Sequence, residues 1–151
     1  MANSDNFNPQ PPAQTTSKIV LCTLNAKYIH ASLGLRYLFA NMGELQAQTR
    51  ICEFMINRKS PEEWANELIA MNPRIIGFGV YIWNTVQTCE VVKLLKQLRP
   101  DITIVLGGPE VSHEVQEQEI AQLSDFVITG WGDISFPKLC RAVLHGPQPL
   151  M

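Results

Sequence analysis

From Lys18 onward, apolar runs of strand length alternate with stretches of helical period, five times over. The runs are KIVLCTL (18–24), TRICEFMI (49–56), RIIGFGVYI (74–82), ITIVLGG (102–108) and DFVIT (125–129). The first helix is expected from about Ser32 to Met42, with Leu33, Leu35, Leu38 and Phe39 on its inner side and Gly43 as a left-handed stop. Ser60-Pro61-Glu62-Glu63 opens a second: a capping Ser, a Pro in the first turn, and acids near the positive end of the dipole. It stops before Asn72-Pro73. Asn84 or Thr85 caps TVQTCEVVKLLKQL, which ends at Arg99-Pro100. PEVSHEVQEQEIAQL is a helix or a looser loop, and a last helix follows the GWGD turn through about Leu144.

Strands that are apolar on both faces and separated by helices imply a parallel sheet covered on both sides. Five β/α units predict an open, doubly wound, five-stranded sheet of flavodoxin-like, Rossmann-like order in three α/β/α layers; a barrel needs eight. The second run alternates most clearly and belongs near a sheet edge, whereas the third reads as central. Residues 1–17 are rich in Asn, Gln, Pro, Ser and Thr and read as a disordered tail. One domain is expected over 18–146, with 147–151 a tail or the start of a linker.

Composition narrows the partners. At 151 residues with 46% hydrophobic content there is material for one core. A net charge of -2, with no basic stripe, argues against nucleic acid. No run approaches the roughly 20 apolar residues of a membrane span, and the N-terminus lacks the features of a signal peptide. A cytoplasmic protein is expected. Cys22, Cys52, Cys89 and Cys140 are far apart, without the spacing of a zinc or iron–sulfur site, and read as structural thiols.

In open α/β sheets, ligands bind beyond the carboxyl ends of the strands. That selects NAKYIHAS, YIWNT, GGPEVS and GWGD, all unusual for plain turns. Gly107 and Gly108 permit a bulky group to approach the backbone closely. Tyr81 and Trp83 cluster with Asn84 at a strand end, and Trp131 lies between two glycines, where a lining role fits better than a core one. His30 has no His/Cys/Asp partners in sequence, so no metal ligand is assigned. Dinucleotide and phosphate-loop glycine patterns are absent, GFGVYI lacking the third Gly. An acidic receiver site fails too, because Asn25 and the Tyr81–Asn84 segment stand where its acids should be. NAKYIHAS is a poor flavodoxin phosphate loop, and there is no nucleophile elbow.

Taken together, TLNAKYIHASLGLRYL, IIGFGVYIWNT, VLGGPEVSHE and DFVITGWGDISFPKL resemble the N-terminal cobalamin-binding domain of cobalamin-dependent radical S-adenosylmethionine proteins, over about Lys18 to Leu144. The resemblance implies a corrin held over the strand ends and a nucleotide tail running down into the sheet. By position, Asn25, Lys27, Tyr28, His30 and Ser32, with Tyr81, Ile82, Trp83 and Asn84, would lie under or beside the corrin. Gly107, Gly108, Pro109 and Glu110 would flank the tail, and Gly130, Trp131, Gly132 and Asp133 would close another side. Two departures matter. The D-x-H-x-x-G motif of methionine-synthase-type domains is absent, Tyr28 preceding His30 by two and Gly34 lying one place too far, so a base-off cofactor without a histidine ligand is expected. GWGD replaces the family's Gly-Glu-Gly-Glu.

The chain stops where a radical domain should begin, and it holds no C-x-x-x-C-x-x-C for an iron–sulfur cluster. The expectation is therefore a cobalamin-binding (vitamin B12, hence metal-carrying) module, not catalytic alone, working with a radical domain in cis or trans in methyl transfer or rearrangement. The alternative is a degenerate Rossmann-like interaction module that no longer binds cobalamin. A flavin-binding relative of flavodoxin is a third, lesser reading.

Overall fold

β1 (Ile19–Asn25) is buried at every position but its last, as a strand flanked on both sides and covered on both faces must be. The structure is a computed structural model and describes residues 17–25, 32–81, 83–108, 119–129 and 132–146. Along the chain β1 is followed by α1 (Leu33–Ala40), a 3-10 helix (Gly43–Gln48), β2 (Thr49–Met55), α2 (Pro61–Ala70) and β3 (Ile75–Gly79). Then come α3 (Thr85–Leu98), β4 (Thr103–Gly107), α4 (Glu119–Leu123), β5 (Phe126–Val127) and α5 (Gly132–His145). The five strands form one parallel sheet in the order β2-β1-β3-β4-β5, so the alternating strand does lie at an edge and β3 at the centre.

Strand alternation sends each residue set to its own layer. Val20, Cys22, Leu24, Ile76, Phe78, Ile104 and Leu106 pack with Trp64 and Leu68 of α2, Val91, Val92 and Leu95 of α3, and Ile120 of α4. Ile19, Leu21, Ile75 and Val105 face the other way, onto Leu35 of α1 and Phe136 and Cys140 of α5. All four cysteines are buried and free, and burial pushes the Cys22 thiol well up. Among the described residues no helix is long and apolar enough to cross a membrane.

Helix boundaries follow local chemistry. Ser60 accepts the Glu63 N–H while Glu63 reaches back to the Ser60 N–H, a reciprocal box that opens α2 behind Pro61. Gly43 takes φ +57 after α1, the left-handed stop expected there. Three expectations need correction. Leu33 is not an inner residue but stands 68% exposed in the first turn of α1. The third run pairs over only Ile75–Gly79, because the chain turns away to build the loop around Asn84. The fifth pairs over only two residues, an edge strand with Phe126 exposed. The predicted tails fall mostly outside the described residues, as does all of PEVSHEVQEQ.

Candidate functional site

The sheet face toward α1 and α5 carries a strip without side chains. Leu21, Gly77 and Val105 form one rung across β1, β3 and β4, and Thr23, Gly79 and Gly107 form the next rung on the same face. The glycines at 77, 79 and 107 leave a trough above β3, open toward the carboxyl ends of the strands. Helices α1 and α5 wall it, giving a cavity of about 440 Å³ lined by Leu21, Leu35, Leu38, Val105, Ile128 and Phe136, with the glycine backbones as its floor. A Cβ on Gly77 would lie 3.0 Å from the Phe136 ring, whereas one on Gly107 would meet nothing within 4 Å and project into the open volume.

Gly108 has a different job. Its φ is +114, and a Cβ there would fall 2.4 Å from the Val80 carbonyl oxygen, so only glycine brings β4 this close to the end of β3.

Of the residues singled out in the sequence, Tyr81, Gly107, Gly108, Gly132 and Asp133 line this cavity. The Tyr81 hydroxyl reaches the first turn of α1, within 3.4 Å of where a Gly34 Cβ would stand. Trp83 stacks on Tyr81, ring centroids 4.6 Å apart and planes 2° from parallel, and is 49% exposed. Asp133, in the first turn of α5, has a buried Oδ1 with no hydrogen-bond partner among the described residues. Lys27, Tyr28, His30, Ile82, Pro109, Glu110, Gly130 and Trp131 lie outside the described residues.

Asn25, Ser32 and Asn84 do not line the cavity; they hold the loops that do. Asn84 is fully buried. Its Nδ2 donates to the Leu24 carbonyl at 3.0 Å and the Gly79 carbonyl at 3.1 Å, and its Oδ1 accepts the Tyr81 N–H at 2.8 Å. It stands at the N-cap position of α3 but makes no side-chain cap. One amide thus ties the ends of β1 and β3 and positions Tyr81. Glu53 serves β1 and α1 similarly: it accepts the Ser32 N–H at 2.6 Å, a bond from the Asn25 side chain, and both arms of Arg36 at 3.0 and 3.1 Å. The Arg36 guanidinium holds the Glu53 carboxyl below the usual carboxylate range, with the Ser32 N–H adding to the effect.

Sequence reasoning missed Gly77 and Gly79. The signal was present: glycines at i and i+2 in a buried strand bare one face of it. It also missed Phe136 and Leu35, whose roles depend on which helices share that face.

The exposed apolar side chains Leu33, Val86 and Ile134 belong to the N-terminal turns of α1, α3 and α5 and, with Trp83, lie at the cavity's end of the molecule; Tyr37, also exposed, stands one turn further into α1 and lines the cavity.

Several solved structures share this architecture. A cobalamin-binding protein from Desulfitobacterium hafniense DCB-2 aligns with a TM-score of 0.58 at 20% identity, over 83% of this chain and 58% of its own. The BeF3-activated DrrB receiver domain gives 0.59 at 13% identity, over 85% and 97%. A CheY-like protein, tadZ, from Pseudomonas aeruginosa PAO1 gives 0.57 at 18% identity, over 87% and 97%. These likenesses establish the fold. In sequence the chain is 25% identical over 140 residues to the uncharacterized methyltransferase PH0819 of Pyrococcus horikoshii, covering 91% of this chain and 29% of that relative. This chain therefore spans less than a third of the curated relative's length. The profile of the B12 binding domain matches residues 19–140, from the first residue of β1 into α5. With the whole sheet, the cavity's wall residues Leu35 and Phe136 and the glycine strip inside that match, the chain belongs to the B12 binding domain family.

Proposed function

We propose that this chain is the cofactor-carrying module of a cobalamin-dependent radical S-adenosylmethionine protein, with the cofactor base-off and its nucleotide tail in the glycine-floored cavity. The observation that carries the reading is the strip at 77, 79 and 107: Phe136 packs on Gly77, but nothing among the described residues fills the space over Gly107, where a flat ring system could lie against bare backbone. The residues fit such a group. Leu21, Leu35, Val105 and Phe136 would hold an aromatic base, and Asp133, which lines the same cavity and whose buried Oδ1 has no partner among the described residues, could accept a hydrogen bond from a hydroxyl or amide of the group. Tyr81 and Trp83 offer a stacked aromatic surface beside the mouth. Bound cobalamin supplies a cobalt–carbon bond able to carry a methyl group or take part in a radical rearrangement. The work of this chain is to bind, orient and exclude water; His30 is assigned no bond to cobalt. The radical domain would meet this end of the module in cis or trans.

Gly107→Leu tests the reading. Its Cβ has free space and its φ is not positive, so the variant should melt within a few degrees of the parent, yet its side chain would fill the mouth. Titration with hydroxocobalamin, followed by the visible spectrum, should show saturable binding for the parent and at least about tenfold weaker binding for the variant. Equal binding by both would remove the tail from this cavity.

The exposed apolar side chains Leu33, Tyr37, Trp83, Val86 and Ile134 favour a second reading, an interaction module that does without cobalamin. Self-association in sedimentation, together with no spectral response to hydroxocobalamin, would select it.

A further inference from the structure

Resting on the base-off reading above, we infer that the cavity selects among cobamides by their lower base, accepting an apolar benzimidazole and discriminating against a purine. Among the described residues, the deep part of the cavity offers no hydrogen bond. Its walls there are Leu21, Leu35, Val105 and Phe136, all at most 3% exposed. Its floor is backbone already engaged: the rungs through Gly77 and Gly79 are committed to the ladders with β1 and β4. The Gly79 carbonyl accepts from Thr23 Oγ1 and Asn84 Nδ2, and the Gly107 carbonyl accepts the Val80 N–H.

The polar side chains of the described lining, Tyr37, Tyr81 and Asp133, all lie off the strands that floor the cavity, and Tyr37 is 66% exposed. Asp133 opens α5 one turn before Phe136, and Tyr81 follows the end of β3. A dimethylbenzimidazole carries methyl groups into the depth and leaves little unpaired. A purine carries an exocyclic amine and pyrimidine-ring nitrogens there, which surrender water and find no partner.

The test compares three ligands on the purified chain: hydroxocobalamin, the corresponding adenine-containing cobamide, and cobinamide, which has no nucleotide. Affinity is read from the visible spectrum or by calorimetry. The expected order is cobalamin tightest, the adenine form at least about tenfold weaker, as an unpartnered buried polar group dictates, and cobinamide weak as well. The more basic benzimidazole is the harder base to release from cobalt, so that cost opposes the expected order and cannot create it. Equal affinity for the two complete cobamides, with cobinamide much weaker, overturns the selectivity while leaving the tail in the cavity. Equal affinity for all three overturns both.

Val105→Thr locates the effect, since it adds a hydroxyl to the wall at nearly unchanged volume. It should narrow the cobalamin-to-adenine ratio severalfold, while the unpaired hydroxyl lowers the melting temperature of the ligand-free chain by several degrees without abolishing folding. An unchanged ratio overturns the assignment to this wall.

Discussion

Replacing Asn84 by alanine removes the amide that joins the ends of β1 and β3. Three well-formed hydrogen bonds disappear: those to the Leu24 and Gly79 carbonyls and that from the Tyr81 N–H. Each is worth about 1 kcal/mol net, and more where the remaining partner stays buried without water, so the loss comes to about 2–4 kcal/mol. At about 3 °C per kcal/mol for a domain of this size, the melting temperature should fall by roughly 6–12 °C. Asn84→Asp sharpens the test. The aspartate keeps an oxygen for the Tyr81 N–H but turns its other oxygen on two carbonyls, which only a protonated carboxyl can approach. Its folded-state pKa must then rise above the unfolded value of about 3.9. A group with a raised acid pKa destabilises increasingly as pH climbs above its unfolded value, so this variant should approach the parent near pH 4 and fall away toward neutrality. Thermal melts by circular dichroism across that range provide the assay. A variant within about 2 °C of the parent at pH 7, or a deficit independent of pH, would refute the clamp.

Two further expectations concern the same end of the sheet. Gly108→Ala must relieve a 2.4 Å approach to the Val80 carbonyl oxygen at φ +114, so a loss above about 3 kcal/mol is expected, in contrast to Gly107→Leu one residue earlier; a melt matching the parent would contradict the geometry. Glu53→Gln keeps an acceptor for the Ser32 N–H but sets an amide against Arg36. Because Arg36 depresses the Glu53 pKa, the stabilisation is complete above the ordinary carboxylate range and is lost as pH falls through the folded value. The gap in melting temperature between parent and variant should therefore be widest near pH 7 and close below about pH 4; a constant gap would assign the effect to packing.

The fold was legible because hydrophobic burial writes itself into the spacing of apolar residues. β1, β3 and β4 are apolar on both faces, while the alternation of β2 marks it as an edge strand. Ser60 and Glu63 announced their helix by a reciprocal bond confined to neighbours in sequence. The site was less legible, since its parts are long-range. Gly77 and Gly79 look like a broken nucleotide motif until the register sets them beside Leu21, Val105 and Gly107. Asn84 reads as a ligand contact, because nothing local reveals that its amide turns inward to β1, about 60 residues earlier in the chain. Leu33 fits the inner stripe of α1 by spacing, yet in the first turn of this short helix it is Leu35, not Leu33, that turns inward to pack with Phe136 of α5.

The cavity is walled by the first helix of the fold and the last. Leu35 belongs to α1 and Phe136 to α5, roughly a hundred residues apart, while the glycine strip between them comes from strands made at intermediate times. During synthesis the chain emerges from its N-terminus, so the floor can assemble long before it has a second wall. Closing that wall is a contact of high sequence separation, the slowest kind to form. Competence to take up a ligand is consequently a late property of this fold during synthesis, acquired only once α5 has emerged and docks. A protein shortened before residue 132 could retain the five paired strands and the Asn84 tie, but it would present an open trough where the fold with α5 has a pocket.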